Sequence, residues 1–98
     1  MHDLEIIREL WEVINQRAAH PSEASYVSRI LTHEKGIDKA LEKVGEESTE
    51  FILAAKSRIR DRTASEGADL LFHLLVALRA ADVDLSDVLD ELAARRKR

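Results

Sequence analysis

Leu70-Leu71-Phe72-His73-Leu74-Leu75-Val76-Ala77-Leu78 is apolar on almost every side, with a single histidine interrupting it. A helix that is greasy all round has neighbours on several faces, so this stretch reads as the central helix of a bundle. Glu66 and Asp69 stand just before it. At about 100° per residue, Glu66, Asp69 and His73 fall on one narrow line of the same helix. An acid beside such a run is costly to bury without a partner, so the line must face something polar.

The rest of the chain supplies the neighbours. Apolar residues make up 45% of the 98 residues but aromatics only 4%, and there are three glycines and one proline. Leu, Ala, Ile and Val therefore have to fill the core, a mixture that favours helices over sheet. One domain of this length is expected, spanning residues 1–98. Leu4, Ile7, Leu10, Trp11 and Ile14 recur at helical spacing, which predicts a helix over residues 4–17 capped by Asp3 and ended before Pro21. A short helix is expected over 25–33, with Gly36 breaking the chain after it. Ile37, Ala40, Leu41, Val44, Phe51, Ile52 and Ala55 form one stripe of a long helix over 37–58. Thr63-Ala64-Ser65-Glu66 matches a capping box and predicts the start of the central helix at Thr63, running to about residue 81. A last helix carries Leu85, Val88, Leu89 and Leu92, with Asp84 or Ser86 as its cap. The expectation is an all-α bundle of about four to five helices. Its apolar surplus at 70–78 exceeds what one short chain can cover, so a second copy is expected to complete it.

Charge and cysteine content exclude several function classes. The net charge is −4 with both signs interspersed, and the one single-sign run is Arg95-Arg96-Lys97-Arg98. Those cations suit the negative end of a helix dipole, and nucleic acid is not the expected partner. Cysteine is absent, which removes thiolate metal sites and cysteine nucleophiles and fits a reducing cytoplasm. No stretch approaches the roughly 20 apolar residues of a membrane span.

The long third helix carries a second acidic set, Glu46, Glu47 and Glu50, flanked by Lys43. Two antiparallel helices would place this set opposite Glu66 and Asp69. Four carboxylates so close would repel one another and be driven toward protonation unless a cation sat among them. Oxygen ligands without cysteine point to Mg²⁺ or Mn²⁺ rather than zinc, and such ions act chiefly on phosphates. Each residue also has a structural explanation: Glu66 as the capping partner of Thr63, the glutamates of 46–50 as a solvated face paired with Lys43, and His73 as a hydrogen-bonded core residue.

Glu46-Glu47-Ser48-Thr49-Glu50, followed after fifteen residues by Glu66-Gly67-Ala68-Asp69, resembles the paired acidic motif of the all-α, MazG-like nucleotide pyrophosphohydrolases. Lys43-Val44-Gly45 before it, Ala54-Ala55-Lys56 after it, residues 68–76 and Ser25-Tyr26 narrow the resemblance to the phosphoribosyl-ATP pyrophosphatase family, over roughly residues 4–95. The chain departs from the family's usual threonine at Val27 and usual alanine at Ser48. The resemblance implies a MazG-like fold, a homodimer, Mg²⁺, and hydrolysis of phosphoribosyl-ATP to phosphoribosyl-AMP and pyrophosphate, the second step of histidine synthesis.

On that basis Glu47, Glu50, Glu66 and Asp69 are the expected metal ligands. Glu46 is the expected residue for the attacking water, with Glu47 and Glu50 as alternatives. Lys43 and Lys56 are expected on the phosphates of the leaving pyrophosphate. His73 is expected either to contact substrate or to orient a carboxylate, and Tyr26 fits a ligand contact or the core equally well. Two other functions remain open at this point: a house-cleaning nucleoside triphosphate pyrophosphohydrolase using the same metal chemistry, and a helical dimerisation module without activity.

Overall fold

The computed structural model describes residues 3–96. Five helices follow one another: α1 (Glu5–Ala19), α2 (Tyr26–Leu31), α3 (Ile37–Ser57), α4 (Arg60–Ala80) and α5 (Leu85–Ala94). No strand occurs among the described residues. None of the described helices is long and apolar enough to cross a membrane. Met1, His2, Lys97 and Arg98 lie outside the described residues, so the basic tail is seen only at Arg95 and Arg96. Arg95 pairs with Glu91 at 2.7 Å, just beyond the end of α5.

The expected periodicities produce these helices with small shifts of boundary. Asp3 accepts a hydrogen bond from the Glu5 amide at 2.9 Å, at the start of α1. Ser25 caps α2 by accepting from the Ser28 amide. Gly36 takes a positive φ of 62° immediately before α3, a conformation that glycine adopts without the Cβ penalty. Asp84, rather than Ser86, caps α5 and forms a reciprocal capping box with Asp87.

One boundary departs from expectation. α4 begins at Arg60, not at Thr63. The turn out of α3 is made by Arg58 in the left-handed region (φ 61°, ψ 22°), after which Ile59 is extended and the helix restarts at once. Thr63 is therefore already inside the helix, its amide bonded to the Ile59 carbonyl. Its hydroxyl donates to the carbonyls of Ile59 and of Ala54 on α3, tying the two helices across the turn. The capping-box reading fails for a physical reason: nothing in Arg60-Asp61-Arg62 stops a helix that the turn has already aimed back along α3. Glu66, released from capping, is free to serve elsewhere.

The antiparallel α3–α4 hairpin is the main packing unit, and α1 and α2 close over one face of it. Ile14, Val27, Ile30, Ala40, Leu75, Val76 and Ala77 form the core, with Trp11, Val44 and Phe72 packed against it. Val27, one of the departures from the family pattern, is thus a core residue. Spacing at about 100° per residue puts Lys43, Glu47 and Glu50 of α3 and Glu66, Asp69 and His73 of α4 along the same edge of the hairpin seam.

Candidate metal centre

Glu47, Glu66 and Asp69 come together on that edge. One carboxylate oxygen from each lies within 4.8 Å of the others. Two oxygens on opposite sides of a Mg²⁺ ion stand about 4.2 Å apart, so a slight side-chain adjustment would bring all three onto one ion. Glu47 is buried, Glu66 half-buried and Asp69 exposed, so the group runs from the interior at α3 to the solvent at α4.

The electrostatics show an acidic group short of positive charge. Burial, then the neighbouring Glu50 and Asp69 charges, push the Glu47 carboxyl above the ordinary carboxylate range. Burial and the same two neighbours also raise Glu66. One oxygen of each, Oε2, is buried without any hydrogen-bond partner. A buried polar atom left unpaired is costly and rare in native folds. Here two such atoms belong to acids that face a third. A divalent cation among them would neutralise the repulsion and satisfy both oxygens, so the residues present fit Mg²⁺.

The remaining expected residues stand differently about this group. Glu50 is exposed beside Glu47 and Glu66 and raises both, but it lies outside the tight cluster. Lys43 donates to Glu46 at 2.9 Å and stands 3.9 Å from Glu47. Its pKa is raised mainly by the hydrogen bond to Glu46, so the amine stays charged at the rim of the group. Glu46 is accordingly at the rim, paired to Lys43, not among the clustered acids. Lys56 is not brought to the site. Six residues beyond Glu50 is about 120° round the helix from it, and the side chain is exposed there.

His73 is buried behind the carboxylates with both ring nitrogens engaged. Nδ1 lies 2.7 Å from the Asp69 carbonyl, which can only accept, so Nδ1 carries the proton. In the neutral ring Nε2 then accepts from the Tyr26 hydroxyl at 2.8 Å. Phe72 packs edge-on against the ring, and Tyr26 lies beneath the Arg29 guanidinium. His73 was expected to contact substrate or to orient a carboxylate; its two nitrogens instead meet the backbone carbonyl of Asp69 and the Tyr26 hydroxyl, which ties α2 to the turn that carries Asp69. Arg62, which sequence reasoning passed over, lies close enough to Glu66 for its charge to oppose that residue's upward shift.

An acidic pair on each of two antiparallel helices, with a lysine at the rim, is the arrangement that the sequence resemblance implies. Comparison with known proteins gives the same direction. The family model described as phosphoribosyl-ATP pyrophosphohydrolase matches residues 7–96. A phosphoribosyl-ATP pyrophosphatase of Methanoculleus marisnigri is 68% identical over 97 residues, covering 99% of this chain and all of the relative. Proteins of the same name from Methanosphaerula palustris and Methanoregula boonei are each 67% identical, with 99% and 97% of this chain covered and 98% and 91% of the relatives. With the match spanning nearly the whole chain and the acidic group in place, this protein belongs to the phosphoribosyl-ATP pyrophosphohydrolase family.

Proposed function

We propose that this chain hydrolyses phosphoribosyl-ATP to phosphoribosyl-AMP and pyrophosphate, a step of histidine synthesis, and that it does so with Mg²⁺ and as a homodimer. The observation that carries the chemistry is the meeting of Glu47, Glu66 and Asp69, two of them with a buried oxygen that nothing in the chain satisfies. Family membership supplies the substrate.

Glu47, Glu66 and Asp69 would hold the ion, with Glu50 beside them. A bound Mg²⁺ supplies positive charge to phosphoryl oxygens as the anhydride breaks. The chain's own residues supply the rest. Lys43, charged at the rim, offsets negative charge on the departing pyrophosphate as a point cation. The attacking water must lose a proton, and a carboxylate within hydrogen-bond reach must take it. Glu46 and Glu50 both lie beside the clustered acids, Glu46 hydrogen-bonded by Lys43 and Glu50 open to solvent. Comparing Glu46→Gln with Glu50→Gln assigns that role, the residue responsible being the one whose loss lowers kcat without raising KM.

The dimer is supported by the large apolar side chains that the hairpin leaves exposed. Leu41, Ile52 and Leu53 on α3 and Leu71 and Leu74 on α4 are large, apolar and between two-fifths and two-thirds exposed. Apolar exposure of this extent on two neighbouring helices is typical of a protein–protein interface. The purified protein should release pyrophosphate from phosphoribosyl-ATP in the presence of Mg²⁺, stop on addition of EDTA, and cleave unmodified ATP far more slowly. Equal rates on the two nucleotides would remove the histidine-pathway assignment and leave a general nucleotide pyrophosphohydrolase.

A further inference from the structure

The acids of α4 are not the first polar residues on their line. Arg62 precedes Glu66 by four residues and Asp69 by seven, so it lies on the same stripe, one turn or about 5.4 Å nearer the start of the helix. Its charge reaches Glu66. The side chain is exposed, and it joins none of the ion pairs formed among the described residues. The nearby cations are placed differently. Arg60, two residues earlier, falls about 160° away round α4, where it lines a separate hollow with Arg58, Thr63 and Ala64. Lys56 is likewise off the acidic edge, and Lys43, which shares its charge with Glu46, stands a turn before Glu47 on the antiparallel α3, at the other end of the acidic group from Arg62.

Charge balance gives Arg62 a task. Glu47, Glu50, Glu66 and Asp69 are four potential negative charges, and one divalent ion among them leaves the site still negative. A polyphosphate approaching such a site is repelled unless the protein adds a cation on the approach. Arg62 is the unengaged cation on that edge, and a guanidinium can grip a phosphate with two parallel N–H donors. We infer that Arg62 is a substrate-binding residue: it holds the pyrophosphate portion of the substrate's triphosphate at the end of the carboxylate group nearest the start of α4. The inference rests on the proposed pyrophosphohydrolase reading and adds a cation to the task that the sequence had given to Lys43 and Lys56.

The test uses inorganic pyrophosphate, the product, titrated calorimetrically into the Mg²⁺-loaded protein, so that binding is read without turnover. Arg62→Gln should weaken pyrophosphate binding by about tenfold or more, the loss of one charge-assisted contact. It should leave the Mg²⁺ affinity measured without pyrophosphate undiminished. Arg62→Lys should recover part of the loss, and Arg60→Gln should bind as the wild type does. In kinetics, Arg62→Gln should slow phosphoribosyl-ATP and ATP cleavage by similar factors, because both carry the triphosphate. Wild-type pyrophosphate affinity in Arg62→Gln, or an equal loss in Arg60→Gln, overturns the inference. A defect confined to phosphoribosyl-ATP also overturns it, by moving Arg62 to the phosphoribosyl phosphate. If the wild type bound pyrophosphate through Arg62 but left phosphoribosyl-ATP intact, the functional reading would fail while the subsite stood.

Discussion

Glu47 shows how one residue can be costly to the fold and necessary to the chemistry. Its carboxylate is buried, repelled by Glu50 and Asp69, and half unpaired. Removing charge from such a cluster should relieve the metal-free fold. Glu47→Gln and Asp69→Asn should therefore abolish hydrolysis while melting, without metal, no lower than the wild type. Saturating Mg²⁺ should raise the wild-type melting temperature and raise that of the variants less, since a ligand that binds only the folded state stabilises it. The pH dependence has a definite sign. Glu47 and Glu66 are both raised above 4.5 in the folded state, so their charged forms cost stability above the raised values. As pH falls through those values toward 4.5, the metal-free wild type should gain stability from these two groups, and Glu47→Gln should gain less. Variants that melt lower without metal yet remain active would show that the acids are structural. The sequence disclosed these acids through their spacing, because a line of Glu66, Asp69 and His73 on a greasy helix has few explanations. It could not disclose the bond from Tyr26 to His73, whose partners are 47 residues apart and meet only through the packing of α2 on α4.

Among the elements, α4 carried most of the legible information and also the one clear error. Its apolar run marked a central helix, and Leu75, Val76 and Ala77 are indeed buried. Its start was misplaced by three residues because Thr63 and Glu66 have the spacing of a capping box. The real signal was weaker: Arg58 accepting a left-handed turn with no glycine to announce it. That error hid Arg62, which a start at Thr63 leaves in a loop and a start at Arg60 places on the acidic line. Lys56 lies about 120° round α3 from Glu50, a placement that its nearness in sequence to the acidic set does not disclose. Thr63 now has a different role, bridging α4 to the last turn of α3 through Ala54. Thr63→Ala should lower stability by roughly 0.5–1.5 kcal/mol, the net worth of an ordinary hydrogen bond, and leave kcat unchanged. A large loss of activity with unchanged stability would mean that the turn takes part in the site.

For the whole molecule, the fold class and helix order were readable from periodicity alone, because helices of 21 residues such as α3 and α4 repeat their pattern often enough to be unambiguous. Assembly is a different matter. The apolar surplus expected on residues 70–78 divides in the structure: Leu75 and Val76 are consumed by the chain's own core, while Leu71 and Leu74 remain exposed with Ile52 and Leu53 of α3. Light scattering should give the mass of two chains at micromolar concentration, and Leu71→Glu should shift it toward one chain. A wild-type protein that stays monomeric contradicts the proposed homodimer.

The central claim is that Glu47, Glu66 and Asp69 form a divalent-ion site on the hairpin edge. Calorimetric titration of Mn²⁺, a stand-in for Mg²⁺ with the same preference for oxygen ligands, into metal-free wild type and metal-free Glu47→Gln tests it directly. Saturable binding in the wild type that is lost or greatly weakened in a fully folded Glu47→Gln is the predicted result, and indistinguishable binding by the two proteins, or none by either, would contradict it.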